Sequence, residues 1–382
     1  MLNRIDDLEL TLAPVADLGD RNPKPGMGLC LSGGGYRAMI FHLGMLIRLN
    51  QVGYLAKLKR VSSVSGGSIT AAMLGMKWQN LDFANGVASN LTSELVDPIR
   101  DFARHTIDIP SVIGGALLPG TINDKVVHAY SKHLFGDATL QAFPDDPPRF
   151  LINATNVQSG ALLRFSKPYL RDYKVGEVRN PRVSLAFAVA ASSAFPPFLS
   201  PAIIKFNSDE FSPTNDEPLA NEEFRERMVL SDGGVYDNLG METVWKHFDT
   251  VLVSDAGMRF SPESDPAEDW MRHSMRVMDL IDNQVRSLRK RQLISSFKAR
   301  LRKGCYWGIG TNIADYKLAT ALVCPFDRTS QLAAEPTRLA AMSDEIQERL
   351  INWGYAVCDA ALRSHVDSSI SVPAQFPYSG GV

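Results

Sequence analysis

The chain has 382 residues, 45% hydrophobic and 21% charged, a balance that excludes a disordered or fibrous polypeptide and suits a large core. At about 150 residues per domain, this length fits two or three domains or one large α/β domain with additions. Forty basic against forty-two acidic residues give a net charge of -2, so no global field draws the chain onto a nucleic-acid polymer, and any preference for anions is local.

Residues 1–25 read as a polar lead-in ending in Asn22-Pro23-Lys24-Pro25, which cannot continue a helix. Asp6, Asp7 and Glu9 lie within it, with no apolar run of signal-peptide length. Gly26–Leu31, a short apolar run bounded by turn residues, predicts a buried strand. Ser32-Gly33-Gly34-Gly35 follows, then a helix with Met39, Leu43, Leu46 and Ile47 on one side. The same grammar recurs in a strand at Arg60–Val64, a turn at Ser65-Gly66-Gly67 and a helix through Ile69, Met73 and Leu74. Two such units imply a parallel sheet covered by helices.

The uncharged stretch Ile109–Leu118 reads as an acyl tunnel lining or as core. Further strands are expected at Arg149–Ala154, Met228–Leu230 and Thr250–Val253, alternating with helices around Pro181–Ser193 and Met241–His247. Val183–Ile204 carries no charge and is long enough to cross a bilayer, but Pro196, Pro197 and Pro201 interrupt it, so it reads as buried core. Residues 206–227 are acidic and rich in turn formers, as in a surface flap. Beyond residue 258 come a helical stretch Asp265–Lys303, an aromatic segment Tyr306-Trp307-Gly308 and a helix around Thr337–Arg363. The expected division is a lead-in 1–25, an α/β domain 26–257, a helical extension 258–365 packed on it, and a loose tail 366–382. Cys30, Cys305, Cys324 and Cys358 lack CxxC spacing and read as free buried thiols, so a cytoplasmic location is expected.

Three motifs carry candidate chemistry. In Ser63-Val64-Ser65-Gly66-Gly67 a serine sits on a tight strand-to-helix turn, which would expose its Oγ above the sheet at the positive end of a helix. The same residues also suit an ordinary N-cap. Gly33-Gly34-Gly35 beside Tyr36-Arg37 can aim backbone N–H groups into a cavity as an oxyanion hole or anion nest, or can serve close packing alone. Neither GxxxxGK[ST] nor GxGxxG is present. Asp232, ahead of Gly233-Gly234 at the end of an apolar strand, can accept a proton from a serine or close an Asx-turn. The order Ser65, Asp232, His247 would formally satisfy a hydrolase triad, yet His247 reads as a helix C-terminal residue. With no HExxH, Cys/His cluster or EF-hand loop, no metal or cofactor is expected.

Together, Gly33-Gly34-Gly35-Tyr36-Arg37, the Ser65 elbow and Asp232-Gly233-Gly234 resemble the patatin-like phospholipases in order and spacing. The resemblance spans about residues 26–257 and includes AVAASSAFPPFLSP at Ala188–Pro201. It implies a three-layer α/β/α fold with a mainly parallel central sheet and a catalytic domain over 26–257. It further implies Ser65 as nucleophile, Asp232 as base without histidine, amides of Gly33, Gly34 and Gly35 as oxyanion hole, and Arg37 in electrostatic support. Ser63 stands where the family has its first elbow glycine, and Ala38 where a glycine follows the basic residue. The expected activity is cleavage of fatty acyl esters of phospholipids or lysophospholipids at a membrane surface. A transacylase, an acylglycerol lipase and a non-catalytic lipid- or nucleotide-binding effector are the alternatives. No motif marks a regulatory ligand or protein. Between Val285 and Lys303 stand Arg286, Arg289, Lys290, Arg291, Lys298, Arg300, Arg302 and Lys303 with no acid, beside Leu288, Ile294, Phe297 and Leu301. This run reads as a peripheral docking face for anionic lipid, or as a helix packed by its apolar stripe with a solvated basic face.

Overall fold

The computed structural model describes residues 23–107, 121–213, 217–258 and 260–382. Ile109–Leu118 and nearly all of the lead-in lie outside them. Among the described residues ten strands form one mixed sheet. The strands are β1 (Lys24–Leu31), β2 (Leu58–Ser63), β3 (Arg149–Asn156), β4 (Ala161–Phe165), β5 (Tyr169–Asp172), β6 (Gly176–Arg179), β7 (Ala202–Lys205), β8 (Arg227–Asp232), β9 (Phe248–Asp255) and β10 (Lys303–Gly308). The helices that matter here are α1 (Gly35–Gln51), α2 (Gly66–Lys77), α3 (Leu185–Ser192), α4 (Trp270–Lys298) and α5 (Asp344–His365).

The order is β10-β9-β1-β2-β3-β4-β5-β6, with β8 beside β3 and β7 beside β8. Only the half from β10 to β3 is parallel, as the two strand-loop-helix units predict. Strands β4 to β6 form an antiparallel meander, and β8 runs against β3. The turn between β3 and β4, with Gly160 at φ 67, is too short for a crossover, so this half cannot be parallel.

Side chains alternate across β1. Leu29 and Leu31 join the larger core, where α1, α2 and α5 pack, while Cys30 joins a smaller one with Val244, Val251 and Leu293 of α4. Helices thus cover both faces, giving the three layers of an α/β/α fold. The four cysteines are free and buried. Helix α1 is buried on nearly every side rather than on one, because α5 lies directly on it. A Cβ on Gly44 would stand 1.9 Å from the carbonyl oxygen of Ile351, and one on Gly354 would stand 2.0 Å from that of Phe41.

The C-terminal segment is helical as expected, but it also adds β10 to the sheet edge beside β9. Helices α4 and α5 begin later than their sequence expectations, at caps by Asp269 and Ser343. The tail after residue 365 is not loose. Asn352 Nδ2 donates to the carbonyls of Tyr378 (2.8 Å) and Gly381 (2.7 Å), and Val382 is buried. The acidic excursion is largely exposed but pinned where Phe211 bridges to Val178 beneath Arg225. Among the described residues no helix is long and apolar enough to cross a membrane.

The basic run of α4 differs from both sequence expectations, because much of it faces inward. Arg286 donates to Met258 O, Arg289 pairs with Glu242 at 3.0 Å, and Lys290 lies 3.9 Å from Asp255. Acids scattered elsewhere in the sequence consume these charges. Arg291, Lys298, Arg300 and Lys303 remain exposed.

Candidate active site

Strand β3 brings the two distant motifs together. Its first half pairs in parallel with β2, ending at Ser63 opposite Ile152, and its second half pairs antiparallel with β8, where Asp232 lies opposite Ala154. The carboxyl ends of β2 and β8 therefore meet head to head along one strand, about 7 Å apart at the strand rise of 3.3 Å per residue. Ser65 follows β2 by one turn, and its hydroxyl donates to the Asp232 carboxylate.

Ser65 has φ 51 and ψ −123, a backbone region that non-glycine residues seldom occupy. Neighbouring hydroxyls brace this elbow. The Ser65 N–H donates to Ser192 Oγ at 2.9 Å, Ser192 Oγ donates to the Asn153 carbonyl at 2.6 Å, and Ser68 Oγ donates to Ser63 Oγ at 3.0 Å. Ser63 in turn donates to Leu151 O at 3.1 Å, so its hydroxyl is absorbed into the sheet. A Cβ on Gly66 would stand 2.1 Å from the carbonyl oxygen of Gly35, and one on Gly67 2.6 Å from that of Ser32. The elbow and the glycine loop approach too closely for side chains there.

Asp232 is 3% exposed, and burial pushes its carboxyl up to about 7. The Gly234 N–H, 2.6 Å from Oδ1, and the Ser65 hydrogen bond oppose that shift, while nearby Asp282 adds to it. Gly233 lies where a Cβ would meet the Asn153 carbonyl at 2.3 Å.

In the glycine loop the three amides differ. The Gly33 N–H donates to Asn238 O at 3.2 Å and is engaged. Within the described residues no hydrogen bond takes up the N–H of Gly34 or Gly35, and both glycines line the cavity above Ser65. Gly34 has φ 138, which favours glycine. Arg37 departs from expectation. It is buried behind the loop and donates from Nη1 to Ala333 O (2.9 Å) and Glu335 O (2.7 Å), and from Nη2 to Ala256 O (2.8 Å). Its guanidinium does not line the cavity, because the turn of α1 carries it toward the 333–335 segment. Arg37 therefore ties the loop to its surroundings.

The cavity measures about 640 Å³. Ser65, Asp232, Gly34 and Gly35 line it together with apolar residues that include Phe195, Phe198, Leu199, Met258, Met278 and Ile281. Phe195 and Phe198 are half-exposed at its mouth, so this part of Val183–Ile204 is not buried core. No histidine lines it. His247 immediately precedes β9, at the edge of the parallel half opposite the carboxyl ends that carry the elbow. Burial, with Arg60 and Arg164 adding, holds it down to about 4. His42 is buried between Ser254 Oγ (2.9 Å) and Ser32 O (3.1 Å), likewise at about 4 through burial. Among the described residues no cluster of three or more His, Cys, Asp or Glu could hold a metal.

Sequence reasoning missed Ser192, Asn153 and Asn238 as bracing residues. The signal for Asn153 was a polar residue inside the apolar run of β3, where only an internal partner makes it tolerable.

A family model described as patatin-like phospholipase matches residues 29–245. Solved structures that resemble the chain include human GIVD cytosolic phospholipase A2 in complex with methyl gamma-linolenyl fluorophosphonate. It is 14% identical, with 89% of this chain and 58% of that one covered and a TM-score of 0.49. The same human enzyme in another structure is 15% identical, covering 60% of this chain and 45% of that one, with a TM-score of 0.38. VipD from Legionella pneumophila is 16% identical, covering 90% of this chain and 67% of that one, with a TM-score of 0.35. The chain thus spans 58% of the human enzyme's length in one of these structures and 45% in the other. No curated protein matches the sequence.

Proposed function

The chain belongs to the patatin-like phospholipase family, and from that premise we propose that it hydrolyses fatty acyl esters of phospholipids or lysophospholipids through a Ser65/Asp232 dyad. The observation that carries this reading is a serine in a strained backbone, its hydroxyl bonded to a buried carboxyl raised to about 7, at an apolar cavity beside two N–H groups that no described residue engages. Asp232 takes the Ser65 proton as Oγ attacks the acyl carbon. Negative charge gathering on the carbonyl oxygen is met by Gly34 and Gly35. When the ester C–O bond breaks, the Asp232 proton passes to the departing alcohol, which leaves the acyl group on Ser65. Water then gives a proton to Asp232 and attacks the acyl-enzyme. The fatty acid departs and the proton returns to Ser65. In this account Arg37 is a positioning residue, and the catalytic unit is residues 26–257 supported by the C-terminal segment.

A fluorophosphonate ester should label Ser65 stoichiometrically, and vesicles treated with the enzyme should yield free fatty acid and lysolipid in equal amounts by mass spectrometry. Acyl transfer to an added alcohol in place of fatty acid release would make the enzyme a transacylase. Absence of both labelling and turnover would overturn the enzymatic reading.

The pH profile follows from Asp232, which must be ionised to accept the proton. With the carboxyl raised to about 7, kcat/KM should climb about tenfold per pH unit below 7 and level off above it. His247 and His42, held near 4, are neutral throughout that range and add no limb. A profile flat down to pH 5 would remove Asp232 as base.

A further inference from the structure

Helix α4 is amphipathic in the reverse of the usual sense. Trp270, Val277, Ile281 and Leu288 fall on one line at about 100° per residue, and they are 81%, 43%, 55% and 58% exposed. Ser274, Gln284, Gln292 and Ser295 are the polar residues within about 40° of that line, with His273 and Arg291 at its flank. Asp279, Asp282, Arg286 and Lys290 occupy the opposite face toward the protein, where Arg286 and Lys290 meet Asp255. A surface helix ordinarily buries its apolar stripe and solvates its charges. Exposing this much contiguous apolar surface marks an interaction site.

We propose that the outward face of α4 docks the enzyme on a neutral or zwitterionic lipid bilayer by apolar insertion. The proposal rests on the reading of the site given above. Met278, Ile281 and Val285 are exposed on α4 and also line the cavity, and Phe195, Phe198, Val235 and Met258 continue the exposed apolar surface across the mouth. A lipid sliding out of a bilayer thus has an apolar path along this side of the mouth to Ser65. A protein partner or a second copy seated on the same face would close that entrance. The bilayer selected is not an anionic one. Arg289 and Lys290 are committed to internal carboxylates, and Asp279 and Asp282 stand at the mouth itself.

The test uses phosphatidylcholine vesicles and the full chain. Wild-type protein should pellet with them equally at low and high salt, and bromine-labelled acyl chains should quench a fluorescence component that Trp270→Phe removes. A Val277→Ser/Leu288→Ser double variant, whose positions lie outside the cavity lining, should lose about tenfold or more in vesicle partitioning, because two half-exposed side chains no longer enter the lipid. Its turnover of a soluble short-chain ester should be unchanged, which also certifies that it folds. Equal pelleting of variant and wild type, no quenching of Trp270, or a requirement for phosphatidylglycerol at low salt would each overturn the proposal. So would a wild-type dimer that the double variant dissolves while vesicle binding persists. A protein that binds vesicles yet hydrolyses no ester fails the dyad reading and leaves docking standing, whereas one that hydrolyses soluble esters without binding vesicles fails docking alone.

Discussion

Replacing Ser65 with alanine should lower ester turnover by about 10⁴-fold or more, and Asp232→Asn should lower it by about 10³-fold, the scale of losing a nucleophile and a general base. The double variant should be no worse than Ser65→Ala, because a base without its serine has nothing to deprotonate. His247→Ala should leave turnover intact, since that residue precedes the strand whose far end approaches the site. Additive losses, or a loss on changing His247, would sink the dyad. Stability should move differently from activity. A carboxyl raised from its ordinary 3.8 to about 7 holds its proton more tightly in the folded chain, so the stability it contributes is full below about pH 4 and fades as pH rises through 7. Asparagine never ionises and can still accept from the Gly234 N–H. Asp232→Asn should therefore melt no lower than wild type at pH 8, measured by calorimetry, while being nearly inactive.

Gly34→Ala should lower kcat by about 10² to 10³ with little change in KM, because the charge its amide meets exists only in the transition state. The added methyl would stand 2.7 Å from the Ala256 carbonyl oxygen at a φ of 138, so the loop has to turn and its N–H moves with it. Ala256 cannot give way easily, since Arg37 holds its carbonyl and Ser32 Oγ its amide. Stopped-flow hydrolysis of a chromogenic ester, with circular dichroism to certify folding, separates the outcomes. Near-normal kcat in a folded variant would assign the triplet to packing alone.

The sequence already contained the elbow, the glycine loop and Asp232 as local patterns, because each depends on turn chemistry within a few residues. What it could not convey is which partners those residues meet. Arg37 follows the loop directly and reads as a cation at the site, yet its direction is fixed by carbonyls almost three hundred residues later. The Gly33 amide, indistinguishable in sequence from its neighbours, is occupied by Asn238. The basic run of α4 misled for the same reason. A row of cations without local acids looks solvated until Asp255 and Glu242 are folded against Arg289 and Lys290. Strand positions were legible from their apolar runs. Their directions beyond β3 were not, since an antiparallel meander and a crossover strand present similar apolar runs.

The glycine-to-backbone contact between α1 and α5 gives the order of synthesis a meaning. The helix that carries the glycine loop at its amino end leaves the ribosome about three hundred residues before Ile351 and Gly354, which close over it. A nascent chain that has reached residue 257 already holds Ser65 and Asp232 but leaves a broad apolar face of α1 in water. Its glycine loop then has Ala256 behind it but not yet the 333–338 segment that holds Tyr36 and Arg37. The two glycine-to-backbone contacts therefore form only after both helices have been made, so the packing that fixes α1 is completed after translation of the motif that begins it.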